Sequence, residues 1–130
     1  MATLFTRIIQ GEIPCHRIVE DDRYLAFLDI MPLVTGHVLV VPKVEVDWVF
    51  DLETEDLSGL LVFARPVARA VQQAIPCKRV GVSVIGLEVP HAHVHLLPMH
   101  SVADMNFERP KLQPSQEELA EVAARIRAAL

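Results

Sequence analysis

Three histidines alternate with apolar residues in the run Pro90-His91-Ala92-His93-Val94-His95-Leu96-Leu97-Pro98. Side chains on a β-strand point alternately to its two faces, so all three imidazoles are expected on one face, ~7 Å apart along the strand. Ala92, Val94 and Leu96 would then face a core. A core strand has no use for three titratable rings in five residues. Two chemistries suit the pattern. Imidazole is a common metal ligand. It is also a nucleophile when neighbouring rings orient it and handle protons. A catalytic zinc needs about three converging ligands with a supporting shell, and a straight strand spreads its alternate side chains too far apart for that. The spacing therefore favours catalysis over metal binding.

The elements that must position these rings can be read from period and punctuation. Leu4, Phe5, Ile8 and Ile9 form a short helical stripe with Thr3 as N-cap, stopped by Gly11 and Pro14. Strands are expected over His16–Glu20 and Tyr24–Leu28, joined by Asp21-Asp22-Arg23, and over His37–Val41, ended by Pro42. Thr54 is expected to cap a long helix to about Ile75, buried along Leu57, Leu60, Leu61, Ala64, Val67, Ala68 and Val71. Pro66 should kink or split it. Strands over Arg79–Ile85 and His91–Leu97 follow, then an aperiodic ordered loop from Met99 to Gln113. Ser115-Gln116-Glu117-Glu118 is a capping box for a last helix buried along Leu119, Val122, Ile126 and Leu130. Short turns between strands imply antiparallel pairing, hence an α+β fold with helices on one face of the sheet.

The 130 residues are 52% hydrophobic and 22% charged, as in a soluble globular protein with one core. The net charge of -5 disfavours a nucleic-acid surface, though not a small phosphate ligand. No stretch reaches the ~20 apolar residues of a membrane span. The first residues lack a signal-peptide pattern, and Cys15 and Cys77 read as reduced thiols, so a cytoplasmic location is expected.

The histidine run resembles the H-x-H-x-H motif of the histidine triad (HIT) family. Phe5-Thr6-Arg7-Ile8-Ile9-Gln10-Gly11-Glu12-Ile13-Pro14 resembles that family's opening F-x-x-I-I-x-G-E-I-P. Glu20-Asp21-Asp22 with Phe27-Leu28-Asp29-Ile30 resembles its second motif, and Gly36-His37-Val38-Leu39-Val40-Val41-Pro42-Lys43 its third. The resemblance runs from Phe5 to about Pro98. It implies one HIT-like domain over residues 1–130, with 99–130 a divergent loop and C-terminal helix. It implies a five-stranded antiparallel sheet in a homodimer, and hydrolysis of purine nucleotides at the α-phosphorus with no cofactor or metal.

By the same resemblance His93 is the nucleophile, and His95 binds a non-bridging oxygen or passes a proton to the leaving group. His91 and His37 orient the cluster, and Asp29 holds the ribose hydroxyls. Phe5, Ile8, Ile30 and Leu39 wall the base pocket, with Glu88 and Val89 also at the nucleotide. The chain departs from the family before the triad, where Leu87 and Glu88 replace the usual Gln and hydroxyl residue and the loop is shorter by about three residues. Glu88 would meet a cationic leaving amine or repel a polyphosphate. The zinc cysteines of some relatives are Thr3 and Thr6 here, and their later histidine is Glu45, so no zinc is expected. A nucleoside phosphoramidase is the leading reading. A dinucleoside polyphosphate hydrolase or a purine-nucleotide-binding regulatory module are the alternatives.

Overall fold

A computed structural model describes residues 2–130. Helix α1 (Leu4–Ile9) leads into strands β1 (Arg17–Glu20), β2 (Tyr24–Leu28) and β3 (Val38–Pro42). The long helix α2 (Thr54–Ala74) crosses to β4 (Arg79–Ser83), β5 (Val94–Met99) returns, and α3 (Gln116–Ala128) closes the chain. The five strands pair antiparallel in the order β1-β2-β3-β5-β4. No helix among the described residues is long and apolar enough to cross a membrane.

Strands β2 and β3 are buried along their whole length, and the period of two sorts their side chains. Tyr24, Ala26, Leu28, Val38 and Val40 join α2 and α3 in the larger core. Leu25, Phe27, Leu39 and Val41 pack under Phe5 and Ile8 of α1 in a second, smaller core. The expectation of helices on one face is thus corrected. The large helices share a face, but α1 lies on the other because its two buried residues need an apolar cover there. Val94 and Leu96 of β5 point to the larger core, which sends His95 to the α1 side, in register with Leu39.

Several expected boundaries shift. β1 begins at Arg17, β3 spans Val38–Pro42, and β4 ends at Ser83. The triad strand begins only at Val94, leaving His91 and His93 ahead of it. Its register with β3 would set Pro42 opposite Ala92, and proline has no N–H to extend a ladder. Ala92 donates its N–H to the Val46 carbonyl instead (2.7 Å). Glu53, not Thr54, is the N-cap of α2, without a side-chain cap bond. α2 runs unbroken through Pro66, and the backbone bond this proline forgoes is to the carbonyl of Val62, an exposed residue. Leu61 is exposed rather than buried, as is Leu130, and Ala123 replaces the latter in the core. The tail loop contains a 3-10 turn over Val102–Met105. Ser115 and Glu118 form the expected capping box of α3.

Gly59 lies inside α2, where glycine costs about 1 kcal/mol relative to alanine. The Tyr24 hydroxyl, which donates to the Asp56 carbonyl at 2.9 Å, occupies the space a Cβ would need. Gly59→Ala is therefore expected to lower the melting temperature despite the better helix propensity. Tyr24→Phe in the same chain should recover part of the loss. A Gly59→Ala protein as stable as wild type would show that the contact does not govern this position.

Candidate functional site

Four buried imidazoles meet where β3, β5 and α1 converge. His37, His91, His93 and His95 are 1%, 0%, 4% and 5% exposed. Gly36, at φ +92°, takes a left-handed turn that glycine adopts freely and delivers His37 at the start of β3. The His93 and His95 rings lie 4.8 Å apart, and those of His37 and His95 5.2 Å apart. Phe5 of α1 sets its ring edge-to-face on His93 at 5.0 Å and on His91 at 5.8 Å.

The hydrogen bonds assign the protons of the neutral rings, because a backbone carbonyl only accepts and a backbone N–H only donates. His93 Nδ1 lies 2.7 Å from the His91 carbonyl oxygen, so it carries the hydrogen and leaves a lone pair on Nε2. His91 Nε2 donates to the Pro42 carbonyl at 2.8 Å. Leu33 N–H donates to His37 Nδ1 at 3.2 Å, which puts the His37 proton on Nε2, facing His95 Nδ1 at 3.0 Å. His95 accepts there, and its remaining hydrogen on Nε2 has no acceptor among the described residues. The cluster thus offers one imidazole lone pair beside one imidazole N–H.

Burial disfavours the charged form of His37, His91 and His95. It is the main cause that pulls His37 and His95 down to about 3, with neighbouring positive charge adding to it. His91 is lowered chiefly by burial too.

Asp29 follows β2 directly. Its Oδ1 accepts from Met31 N–H at 2.9 Å, and its Oδ2 lies 3.8 Å from His37 Nε2. Burial raises its carboxyl above the usual range. Phe5, Ile8 and Leu39 are buried in the smaller core, with Val89 packed against it, while Ile30 is exposed. Glu88 shares a pocket of about 30 Å³ with His93, His95 and Phe107.

Two residues at this site escape sequence reasoning. Phe107 rests its ring on His95 at 4.6 Å, and Lys111 pairs with Glu88 at 3.3 Å. Both come from the tail loop, and the sole signal was its one phenylalanine.

At the end of α1, Thr6 Oγ1 donates to Glu45 Oε1 at 2.6 Å and Thr3 N–H donates to the same oxygen at 2.8 Å. The Thr3 hydroxyl lies 2.9 Å from His91 Nδ1. Two threonine hydroxyls engaged in this way do not make a zinc donor set, which calls for thiolate, imidazole or carboxylate. These residues form a hydrogen-bonded clasp between α1, the segment after β3 and His91.

A model of the HIT domain matches residues 10–102. The chain belongs to the HIT family. It is 33% identical over 103 residues to a Schizosaccharomyces pombe protein named adenosine 5′-monophosphoramidase, covering 75% of this chain and 74% of that one. A HIT-like protein of Bartonella henselae, described as involved in cell-cycle regulation, superposes with a TM-score of 0.85 at 34% identity, covering 98% of this chain and 96% of that one. A zinc-bound histidine triad protein of Mycobacterium smegmatis superposes with a TM-score of 0.84 at 27% identity, covering 99% and 93%. The five-stranded antiparallel sheet of this HIT protein is the one expected from its sequence.

The depressed histidines predict acid sensitivity. Below the ordinary value of 6.5 the unfolded chain binds protons that folded His37 and His95 refuse until about 3. Their contribution to stability is full above pH 6.5 and declines as the pH falls toward 3, by about 1.4 kcal/mol per pH unit per ring. Urea unfolding between pH 7 and 5 reads this, with the raised carboxyl of Asp29 acting in the opposite sign. His95→Asn should flatten the slope by about one ring's share. An unchanged slope would mean that His95 titrates alike in both states.

Proposed function

We propose that this HIT protein hydrolyses purine nucleoside 5′-monophosphate derivatives, phosphoramidates foremost, through a covalent nucleotidyl-histidine on His93. The observation that carries the reading is the fixed proton on His93 Nδ1, which leaves Nε2 as a lone pair beside the N–H of His95. The phosphoramidase name of the fission-yeast relative supports the substrate class.

In this mechanism His93 Nε2 forms a bond to the α-phosphorus. The phosphorus–nitrogen bond breaks, and its electron pair leaves with the amine, which is protonated on nitrogen beforehand. Water then attacks the same phosphorus, His93 departs as neutral imidazole, and the surplus proton passes to solvent. His95 is suited to hold a non-bridging oxygen through Nε2–H. Acting as an acid would leave it an imidazolate, because its Nδ1 already accepts from His37. His91 holds His93 through its carbonyl, and His37 fixes the His95 tautomer. Asp29 Oδ2 is available to ribose hydroxyls, and Phe5, Ile8, Leu39 and Val89 line the base side. Ile30, exposed here, would join as an outer wall.

A homodimer belongs to the same reading. β4 is an edge strand with Val82 exposed, beside Trp48, Phe50 and Leu61, all more than half exposed. They flank a cleft of about 570 Å³ that reaches His93. So much apolar surface on one side marks an interaction site, and an edge strand invites pairing. Two free cysteines suit a cytoplasmic location.

His93→Ala is expected to lower turnover of an adenosine 5′-phosphoramidate by about 10⁴-fold or more, as loss of a covalent nucleophile does elsewhere. Denaturing mass spectrometry of the quenched wild type should find a nucleotidyl adduct that the variant lacks. Near-normal turnover by His93→Ala would sink the mechanism.

Asp29→Ala should weaken ribonucleotide binding about tenfold or more, since charge-assisted hydrogen bonds are worth roughly 1.5–3 kcal/mol each. Calorimetry with a ribonucleotide and its 2′,3′-dideoxy analogue, against both proteins, completes a cycle. Additive losses would remove Asp29 from the ribose.

A further inference from the structure

Phosphoryl transfer concentrates negative charge on the phosphate oxygens, and a leaving group with further phosphates adds more. The histidine cluster answers with neutral donors, His37 and His95 being held at about 3. The lysine whose charge is felt at Asp29, His37 and His95 alike is Lys111. Its Nζ lies 3.3 and 3.4 Å from the two carboxylate oxygens of Glu88. Glu88 in turn lines the small pocket that holds His93 and His95. The tail that carries Lys111 is pinned at this place. Leu112 N–H donates to the Pro32 carbonyl at 2.8 Å, and Phe107 packs on His95.

The ion pair is built for exchange. Glu88 is 61% exposed, so water screens its hold on the ammonium. Lysine is a compact charge on a flexible four-carbon stem and changes partners without a fixed fork geometry. Glu88 alone would repel a polyphosphate, but paired with Lys111 it presents no net charge at the pocket rim.

We propose that Lys111 is a specificity-determining residue that admits leaving groups bearing further phosphates, by trading the Glu88 carboxylate for the leaving group's phosphate. The proposal rests on the nucleotide-hydrolase reading above and widens its substrate class to nucleoside polyphosphates. An amine leaving group meets Glu88. A phosphate-bearing one draws Lys111 away from it.

The test compares kcat/KM for diadenosine triphosphate with that for an adenosine 5′-phosphoramidate in wild type, Lys111→Met, Lys111→Arg and Glu88→Gln. Lys111→Met should cut the triphosphate-to-phosphoramidate ratio about tenfold, one charged contact's worth. Lys111→Arg should keep most of it, and Glu88→Gln, which frees the ammonium, should raise it. A ratio that Lys111→Met leaves within about threefold of wild type overturns the proposal. Calorimetric affinities for ADP and AMP decide the matter independently of turnover. Lys111→Met should erase most of any preference for ADP, and an unaltered preference overturns the proposal. If the wild type cleaves neither substrate, the hydrolase reading fails while the ADP measurement still judges Lys111. If wild type binds neither nucleotide, both fall.

Discussion

Four imidazoles enclosed by apolar side chains cannot each carry a charge. Like charges a few ångströms apart suppress one another, and burial penalises the charged form. In this HIT protein His37 and His95 answer the penalty by neutrality, held far below their ordinary range. Neutrality makes proton placement decisive, since a neutral ring has one donor and one acceptor. The surrounding backbone makes the choice. The carbonyls of His91 and Pro42 demand N–H groups, and the Leu33 N–H demands a lone pair. Each neutral ring then has one orientation and one tautomer, and the ring atoms left without a partner among the described residues are Nε2 of His93 and Nε2 of His95.

Holding that arrangement takes both faces of the sheet. One face carries α2 and α3 over Val94 and Leu96, which anchors β5. The other carries α1, whose Phe5 covers His91 and His93. A six-residue helix is marginal by itself. Its place is kept by Phe5 and Ile8 in the smaller core and by the Thr3–Thr6–Glu45 clasp, which ends on His91. The clasp joins the start of the chain, the segment after β3 and the first triad histidine without sulfur ligands.

The tail after β5 completes the pocket. Phe107 closes the His95 side and Lys111 answers Glu88 across the rim. The loop before the triad and the loop after it therefore act as one unit, although more than twenty residues separate Glu88 from Lys111. The unusual acidic residue ahead of the triad is understood only with its partner.

Much of this was legible in the residues themselves. The apolar runs of β2 and β3, the Thr3 cap, the α3 capping box and most of the α2 stripe are local patterns, and local patterns survive folding when the core agrees with them. The H-x-H-x-H spacing and three further motifs in order pointed to the family, and the match over residues 10–102 bears that out. What the sequence left open was decided by contacts between distant segments. Extending β5 back to His91 failed because Pro42 cannot offer its neighbour an N–H. Leu61 lies outside the core because it faces an apolar cleft rather than the sheet. Phe107 and Lys111 carry no periodic signature, so only their arrival beside His95 and Glu88 reveals them. Spacing along a chain determines which side chains share a face, but proton positions and charge partners depend on which carbonyl, N–H or carboxylate folding brings within 3 Å or so.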